Sequence, residues 1–221
     1  MSTKFVVCMI ALAGLVTACI GSTGSLETIR GSGNVVTEER KVSGFTAVSL
    51  QGVGELVIDQ TGSESLTVTG DDNLLPYVET RVRGSQLIIS IKDNMLFSNV
   101  TGLTYYVTVN KIDSVELEGA GNVLVSNLDN DDWYVNLAGT GNITVAGQVD
   151  QQTVEIDGAG AYTADELASR EATVEQNGAG MVVVQVREQL DVRIDGLGTV
   201  EYIGDPSVTK TINGLGTVRQ R

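Results

Sequence analysis

A Gly-x-Gly pair recurs along this chain at almost constant spacing, and any fold of the chain must accommodate it. From Gly119 to Gly214, the first glycines of successive pairs lie 20, 19, 20, 18 and 18 residues apart. We predict a structural role for these glycines, because glycine permits tight corners and the close approach of two backbones. The residues are Gly119, Gly121, Gly139, Gly141, Gly158, Gly160, Gly178, Gly180, Gly196, Gly198, Gly214 and Gly216.

The residues before each glycine pair alternate between apolar and polar side chains. In the first regular repeat, Val115 and Leu117 alternate with Glu116 and Glu118. A period of two is typical of a strand with one buried face. A repeat of 18–21 residues is too long for one hairpin strand and too short for a four-stranded propeller blade. We therefore predict an all-β fold, a β-solenoid in which each coil contains two or three short strands.

The middle of the chain, residues 60–113, lacks the glycine repeat but still contains strand-like segments. We predict strands at Leu66–Thr69, Tyr77–Val82, Leu87–Ile91 and Tyr105–Val109. Asp71 and Asp72 are placed to cap one helical turn, which Pro76 would limit. We interpret this less regular N-terminal β portion as irregular coils continuous with the solenoid. A separate N-terminal β-subdomain is the alternative.

Residues 1–18 have the pattern of a signal peptide that is removed. Their apolar run, about 18 Å long as a helix, is too short to span a bilayer. The run ends in Val16-Thr17-Ala18-Cys19, and small residues before a cysteine resemble the lipobox of bacterial lipoproteins. We predict that Cys19 is acylated and becomes the new N-terminus. An ordinary secretory signal that contains a cysteine is the alternative.

Three regions follow from this interpretation. Residues 1–18 form the signal, residues 19–30 the lipidated cysteine with a flexible tether, and residues 31–221 one β-helical domain. The other cysteine, Cys8, lies in the removed segment, so the processed chain would contain no disulfide. We expect the N-terminal lipid to hold the protein to a membrane of the bacterial cell envelope. Ile20, rather than Asp, follows the cysteine and favours the outer membrane.

Composition excludes several classes of function. The chain has no histidine, so it lacks Ser-His-Asp and Cys-His catalytic pairings and imidazole ligands for a metal. Its 28 acidic residues outnumber 14 lysines and arginines, which argues against nucleic acid as a partner. The glycine pairs precede strands rather than helices, so they do not match phosphate-binding loops. We expect no cofactor and no dedicated metal site.

Acidic residues recur on one predicted outward face, where stacked coils would place them in a ladder interrupted by Asn136, Ala138 and Asn177. One interpretation is a solvated face that discourages edge aggregation. The other is a binding face for cationic polymer groups or, weakly, for divalent cations.

Two pairs of adjacent aromatic residues are further candidates for binding. In Trp133-Tyr134 and Tyr105-Tyr106 one ring of each pair should be buried, and an exposed ring could stack on a sugar. The candidate binding residues are Glu116, Glu118, Glu155, Asp157, Glu175 and Trp133.

Three stretches resemble the head GIN domain family of autotransporter adhesins. They are Val42-Ser43-Gly44-Phe45, Asp72-Asn73-Leu74-Leu75-Pro76-Tyr77 and Val115-Glu116-Leu117-Glu118-Gly119-Ala120-Gly121-Asn122-Val123. The resemblance extends from about Phe45 to the C-terminus and implies a right-handed β-helical fold in a bacterial envelope protein. In the last two repeats Leu and Thr replace the Ala and Asn of the motif.

We therefore predict a non-enzymatic lipoprotein whose repetitive surface binds or adheres to an envelope polymer, a glycan or a protein. A carbohydrate-active β-helix enzyme, a lyase or hydrolase, is the alternative, and a purely structural role is a third possibility. A cleft with paired acids and a basic residue would favour the enzyme, whereas smooth ladders would favour binding. Leu197 and Leu215 suggest an apolar strip that a second copy could cover, or that packs under the C-terminal tail.

Overall fold

The computed structural model describes residues 26–221, and strands provide most of their regular structure. The strands are β1 (Glu27–Arg30), β2 (Val35–Arg40), β3 (Ala47–Leu50), β4 (Val53–Gln60), β5 (Ser65–Asp71), β6 (Val78–Arg83), β7 (Gln86–Ile91), β8 (Met95–Ser98), β9 (Thr104–Val109), β10 (Ser114–Leu117), β11 (Ala120–Leu137), β12 (Thr140–Ile156), β13 (Ala159–Gln176), β14 (Ala179–Ile194), β15 (Leu197–Ile203), β16 (Ser207–Ile212) and β17 (Leu215–Gln220). One short 3-10 helix, Leu75–Tyr77, precedes β6. Within these residues no helix is long and apolar enough to cross a membrane. The predicted signal peptide and Cys19 lie outside the described residues.

All strands except β1 and β8 build two long sheets, which we call sheet A and sheet B. Sheet A runs β2-β5-β9-β4, continues through the first halves of β11 to β14, and ends at β15 and β17. Sheet B runs β6-β7-β3-β10, continues through the second halves of β11 to β14, and ends at β16. β11 to β14 contain 16–18 residues each because they pass from sheet A into sheet B. The fold is thus a β-solenoid of about five turns with a less regular N-terminal part, as predicted.

The glycine pairs keep neighbouring coils in register. The second glycines of the pairs occupy one column of parallel partners: Gly121, Gly141, Gly160, Gly180, Gly198 and Gly216. Differences in coil length are accommodated where sheet A turns into sheet B. There the pairing of β11 with β12 shifts between Val125 and Leu128, and Asn127 has a φ of 58°. The register of neighbouring coils is therefore constant at the glycine corner. The corner where sheet A turns into sheet B accommodates the extra residues of the longer coils.

One hydrophobic core lies between the two sheets. Alternate side chains of β11, such as Val123 and Val135, are fully buried, while the residues between them are half-buried or exposed. The same cluster of buried side chains extends from Phe45 to Val200. Each buried Val or Leu contributes about 1.5–3 kcal/mol. This continuous core therefore determines which side of each strand faces inward.

The middle segment extends both sheets rather than forming a separate unit. β4 pairs in parallel with both β9 and β11, and β3 pairs in parallel with both β7 and β10. The chain reverses direction here, so that three pairs of strands are antiparallel: β2 with β5, β5 with β9, and β6 with β7. The four strands predicted in this region are present as β5, β6, β7 and β9. The interpretation as irregular coils continuous with the solenoid is confirmed.

The 3-10 helix lacks the predicted acidic cap. No side chain caps its N-terminus, and Pro76 lies in its first turn. Asp71 is buried instead, and its carboxylate accepts hydrogen bonds from the backbone N–H groups of Gly33 at 2.6 Å and Thr101 at 2.8 Å. Charge-assisted bonds of this kind offset the cost of burying a carboxylate. Asp71 therefore joins two loops to β5 rather than starting a helix.

The tether predicted over residues 19–30 is too long at its C-terminal end. Strand β1 pairs in parallel with β8, so that Glu27 lies opposite Met95 and Arg30 opposite Ser98. The backbone N–H of Gly31 continues this pairing by donating to the carbonyl oxygen of Ser98 at 2.9 Å. Residues 27–30 are thus part of the folded protein and do not belong to a flexible tether.

Candidate functional site

The glycine pairs lie at the corner where each coil passes from sheet B into the sheet A strand of the next coil. A Cβ placed on Gly119 would lie 1.8 Å from the carbonyl oxygen of Gly52, and one on Gly141 would lie 1.7 Å from that of Gly121. A side chain at either position would therefore point along the stack toward the preceding coil and not into the core. These glycines allow neighbouring backbones to stack at the corner.

The outward side of sheet B brings together the acidic residues of the predicted ladder. Glu116 lies in register with Asn136, and the same column continues through Glu155 and Glu175. A second outward column, which includes Glu118, Asp157 and Asp195, lies immediately before the glycine pairs. We call this surface the ladder face, and its acidic members are Glu116, Glu118, Glu155, Asp157, Glu175 and Asp195. Within residues 26–221 no cluster of ligating side chains is arranged to hold a metal ion.

Neutral amides separate the aspartates of the ladder face and hold them in place. Nδ2 of Asn177 donates to Oδ1 of Asp157 at 2.8 Å, and Nδ2 of Asn136 donates to Oδ2 at 2.9 Å. These two hydrogen bonds hold the pKa of Asp157 below the ordinary value of an aspartate. Asn213 similarly lowers the pKa of Asp195, to which it donates at 2.7 Å. The aspartates are therefore ionised and fixed at neutral pH.

Donors from neighbouring coils also hold three of the glutamates, namely Glu116, Glu118 and Glu155. The hydroxyl of Tyr134 donates to Oε2 of Glu155 at 2.7 Å, and Nε2 of Gln86 donates to Oε2 of Glu116 at 3.0 Å. Burial, followed by the contact with Glu155, raises the pKa of Tyr134 to about 12. Within the described residues, Oε1 of Glu116 and Oε1 of Glu155 accept no hydrogen bond, whereas Oε1 of Glu118 accepts two. The ladder face thus presents acceptors whose positions are set by the protein.

The amide donors are the functional residues that the sequence reasoning missed. Asn136 and Asn177 were available in the sequence as outward residues between acids, and the prediction treated them only as separators. The structure shows that each donates to an acid in a neighbouring coil. Direct repulsion is left mainly between Glu155 and Glu175, which are partners in register without an amide between them. The ladder is therefore an alternating network rather than an acidic ridge.

Asn136→Ala should raise the pKa of Asp157 toward its ordinary value, because one of the two amide donors is lost. A lowered folded pKa means that the ionised carboxylate stabilises the fold above the pKa of an unfolded aspartate. This stabilisation is lost as the pH falls through the lower, folded value. NMR titration of the Asp157 carboxyl carbon measures the shift. Asn142→Ala is the control, since Asn142 donates only to Asn122 in the described network, and an Asp157 titration unchanged by Asn136→Ala would contradict the prediction.

Trp133 does not belong to the ladder face. Its side chain is 1% exposed, and its indole Nε1 donates to the hydroxyl of Tyr162 at 3.2 Å inside the core. The assignment of Trp133 to an exposed binding face is therefore wrong, because the strand directs Trp133 inward and Tyr134 outward. In the other aromatic pair Tyr105 is buried and Tyr106 is 48% exposed.

A buried chain of hydrogen bonds continues from Trp133. The Tyr162 hydroxyl donates to Oε1 of Gln152 at 3.2 Å, and Nε2 of Gln152 donates to Ser169 at 2.8 Å. Ser169 donates in turn to the carbonyl oxygen of Gln185 at 2.8 Å. Burial raises the pKa of Tyr162 above its ordinary value. Because each of these polar groups has a partner, the chain links several coils without leaving them unsatisfied.

The stacked coils and the ladder face define a repeat protein with an extended surface rather than one deep pocket. The family model described as "Putative auto-transporter adhesin, head GIN domain" matches residues 44–206. The chain belongs to this family. No protein of curated function matches the sequence.

Solved structures of bacterial proteins share the fold. A "putative adhesin" from Bacteroides fragilis is 22% identical, with 87% of this chain and 100% of that chain covered and a TM-score of 0.74. A "putative lipid binding protein" from Parabacteroides distasonis is 24% identical, with 88% and 100% covered and a TM-score of 0.54. A "putative adhesin" from Parabacteroides merdae is 19% identical, with 88% and 99% covered and a TM-score of 0.53. At these identities the likeness shows the fold.

Proposed function

We propose that this protein is a non-enzymatic adhesin of the bacterial cell envelope that binds a polymer or protein through its ladder face. The observation that carries the proposal is the recurrence of fixed carboxylates at register-aligned positions of the stacked coils, with Asn136 and Arg193 in place of a glutamate in two coils of one column. Coils stack about 4.8 Å apart, so a ligand that lies along the stack meets similar acceptors repeatedly. Individually weak contacts then add up. The adhesin description of the family supports the same role.

The chemistry of the ladder face favours ligands that donate hydrogen bonds. Ionised carboxylates are acceptors only, and the amides that hold them leave further lone pairs toward solvent. Because Asp157 is held from both sides, little side-chain freedom would be lost when a ligand binds. An amine-bearing or hydroxyl-rich glycan fits this chemistry best, and a protein surface rich in lysine is the alternative.

An array of neutral, amine-bearing and carboxylate-bearing oligosaccharides tests the proposal. We expect the purified protein to bind amine-bearing glycans, and we expect added salt to weaken this binding because charge contributes to it. Failure to bind amine-bearing or neutral glycans, together with failure to bind a lysine-rich protein, would contradict the role assigned to the ladder face.

The carbohydrate-active enzyme has less support than the binding role. Glycoside hydrolysis places two carboxyl groups on either side of the scissile bond, one of them kept protonated as the acid. On the ladder face, hydrogen bonds from amides favour the ionised form of Asp157 and Asp195 instead. These residues are therefore suited to accepting hydrogen bonds and not to supplying a proton.

We also propose that a lipid on Cys19 holds the protein to the outer membrane. A net charge of −14 disfavours passive adsorption to anionic lipid, which leaves a covalent anchor as the simplest attachment. Strand β1 begins at Glu27, and residues 20–26 span at most about 25 Å when extended. The solenoid would then lie close to the bilayer.

Cys19→Ser should abolish acylation and release the protein from membranes or leave it unprocessed. Membrane fractionation with mass spectrometry of the N-terminal peptide measures both effects. Cys8→Ser is the matched control, because it changes a cysteine inside the predicted signal and should leave acylation intact. Lipid attachment that survives Cys19→Ser would show that the anchor is elsewhere.

A second copy of the chain is the partner that we propose for the C-terminal end. Leu197 and Leu215 are neighbours in register, and they are 54% and 78% exposed, so the C-terminal tail does not cover them. They lie on β15 and β17, and β17 is the last strand of sheet A. An exposed edge beside two leucines is suited to pairing with another edge.

Analytical ultracentrifugation measures this self-association. We expect the protein to dimerise at high micromolar concentration and the variant Leu197→Ser, Leu215→Ser to remain monomeric. Leu124→Ser is the control, because Leu124 is 46% exposed but lies on a middle coil. A protein that stays monomeric at high micromolar concentration would exclude a self-association role for the two leucines.

A further inference from the structure

A groove at the N-terminal end of the solenoid has a charge character unlike the rest of the protein. It has a volume of about 660 Å³ and lies between β2 and β5 on one side and β6 on the other. Three of the 14 lysines and arginines line it, namely Arg40, Lys41 and Arg81. These three cations exceed the two carboxylates of the lining, Glu39 and Glu64, whereas acidic residues predominate in the chain as a whole, whose net charge is −14.

Both arginines of the groove have a buried donor without an acceptor. Among the described residues, five buried side-chain polar atoms lack a hydrogen-bond partner, and only two of the five are donors. Both are arginine Nε atoms, one of Arg40 and one of Arg81, and both residues line this groove. A buried N–H without an acceptor costs about 1–3 kcal/mol, and more when it is charged. Both unpartnered donors thus belong to side chains of this groove.

The remaining nitrogens show how each arginine is held. Nη2 of Arg40 lies 2.7 Å from a carboxylate oxygen of Glu38 and donates to the carbonyl oxygen of Leu75 at 3.1 Å. Arg81 makes longer contacts, from Nη1 to Ser90 at 3.4 Å and to Glu79 at 3.5 Å. Arg40 is therefore a fixed donor, whereas Arg81 can turn toward a ligand at little cost.

The groove also contains acceptors and hydroxyl groups beside its cations. Oε2 of Glu64 accepts a hydrogen bond from the backbone N–H of Gly44 at 2.9 Å, which fixes this carboxylate. A ligand that was only an anion would leave these groups unused and would be repelled by the carboxylates. The polar lining consists of Glu39, Glu64, Ser43, Ser65, Thr67 and Thr80. Together with the arginines, it fits a molecule that bears both an oxyanion and several hydroxyl groups.

We propose that this groove binds a saccharide that carries a carboxylate. Arg81 and Lys41 bind the carboxylate, since a guanidinium group donates to a carboxylate in a fork geometry and an ammonium group supplies a further charged donor. Glu39 and Glu64 accept hydrogen bonds from the sugar hydroxyls. The groove is large enough for a small ligand, because such sites commonly occupy about 300–1,000 Å³. This site is separate from the ladder face and does not depend on the function proposed for that face.

Isothermal titration calorimetry of the purified protein with trigalacturonic acid tests the proposal. We expect saturable binding that weakens about tenfold or more in Arg81→Gln and in Lys41→Gln, because each removes a charged donor to the carboxylate. Arg83→Gln is the matched control. Arg83 is an exposed residue of the same strand as Arg81 and does not line the groove, so its loss should change the affinity less than about twofold. The trimethyl ester of the probe, which lacks the carboxylates, should bind at least about tenfold more weakly.

Several results would overturn the proposal. An equal loss of affinity in Arg83→Gln and Arg81→Gln would show diffuse attraction instead of a site. Tighter binding of hexaglutamate than of trigalacturonic acid would assign the groove to an acidic peptide, and tighter binding of inorganic phosphate would assign it to a simple anion. An absence of saturable binding at millimolar probe would exclude the ligand class. Because Glu39 and Glu64 lie in one groove with basic residues, the groove also has the composition expected of the alternative enzyme. Cleavage of the probe during the titration would therefore overturn the proposal of a binding site in favour of a carbohydrate-active enzyme.

Discussion

Gly141→Val is expected to destabilise the protein by at least about 3 kcal/mol or to prevent folding. A Cβ on Gly141 would lie 1.7 Å from the carbonyl oxygen of Gly121, and the φ of +149° disfavours a β-branched residue. Because the clashing oxygen belongs to the backbone, it cannot move away as the end of a flexible side chain could. The strain from the clash would therefore spread to the neighbouring coils. Urea unfolding followed by circular dichroism measures the change in the free energy of unfolding.

Thr140→Val is the matched control, because it introduces the same side chain one residue earlier. Thr140 is exposed on the outer surface of β12, so this change should alter the free energy of unfolding by less than about 0.5 kcal/mol. Equal stabilities of the two variants would mean that the coils do not approach one another closely at the glycine corner.

Trp133→Ala is expected to lower the free energy of unfolding by about 3–5 kcal/mol. The substitution removes the largest of the fully buried side chains and leaves a cavity between the sheets. It also removes the donor to the hydroxyl of Tyr162, which begins the buried chain of hydrogen bonds. Trp133 is the only tryptophan of the chain, so unfolding must be followed by circular dichroism rather than by tryptophan fluorescence.

Tyr106→Ala provides the comparison for this loss of an aromatic ring. Tyr106 is 48% exposed on β9, so its removal should cost less than about 1 kcal/mol. A Trp133→Ala variant as stable as Tyr106→Ala would contradict the burial of Trp133 and would restore its candidacy for an exposed binding face.

The repeat made the solenoid predictable, because two signals agreed along the chain. The spacing of the glycine pairs predicted the coil length, and the alternation before each pair predicted which side chains of the sheet B strands are buried. Both signals are local, and the structure keeps Gly121, Gly141 and Gly160 in one column as the spacing requires. Acidic residues at equivalent positions, such as Glu116 and Glu155, therefore reach the same face.

Trp133 was misassigned although the sequence contained the signal that places it. Counting back in steps of two from Leu137 and Val135 puts Trp133 on the inward face, and no register shift separates these residues in the pairing of β11 with β12. The buried partner Tyr162 lies in a different coil, and no local pattern links the two.

The groove residues could not be grouped from the sequence either. Arg40, Glu64 and Arg81 lie about 20 positions apart and belong to three different strands or turns. They meet because the chain reverses in the N-terminal part, where β2 pairs antiparallel with β5 and β6 pairs antiparallel with β7. Such reversals depend on the tertiary pairing of strands. The glycine repeat is absent from residues 60–113, so it could not predict this pairing.

The central claim is that the ladder face binds its ligand through carboxylates, and a chitosan tetramer with free amines tests it most directly. Its affinity should be measured by surface plasmon resonance for a variant with Glu116→Gln, Glu155→Gln and Asp157→Asn. The control carries Asp93→Asn, Asp132→Asn and Asp205→Asn, which remove the same charge from exposed residues outside the ladder face. We predict at least about tenfold weaker binding in the ladder variant alone. Equal affinities of the two variants would contradict the claim.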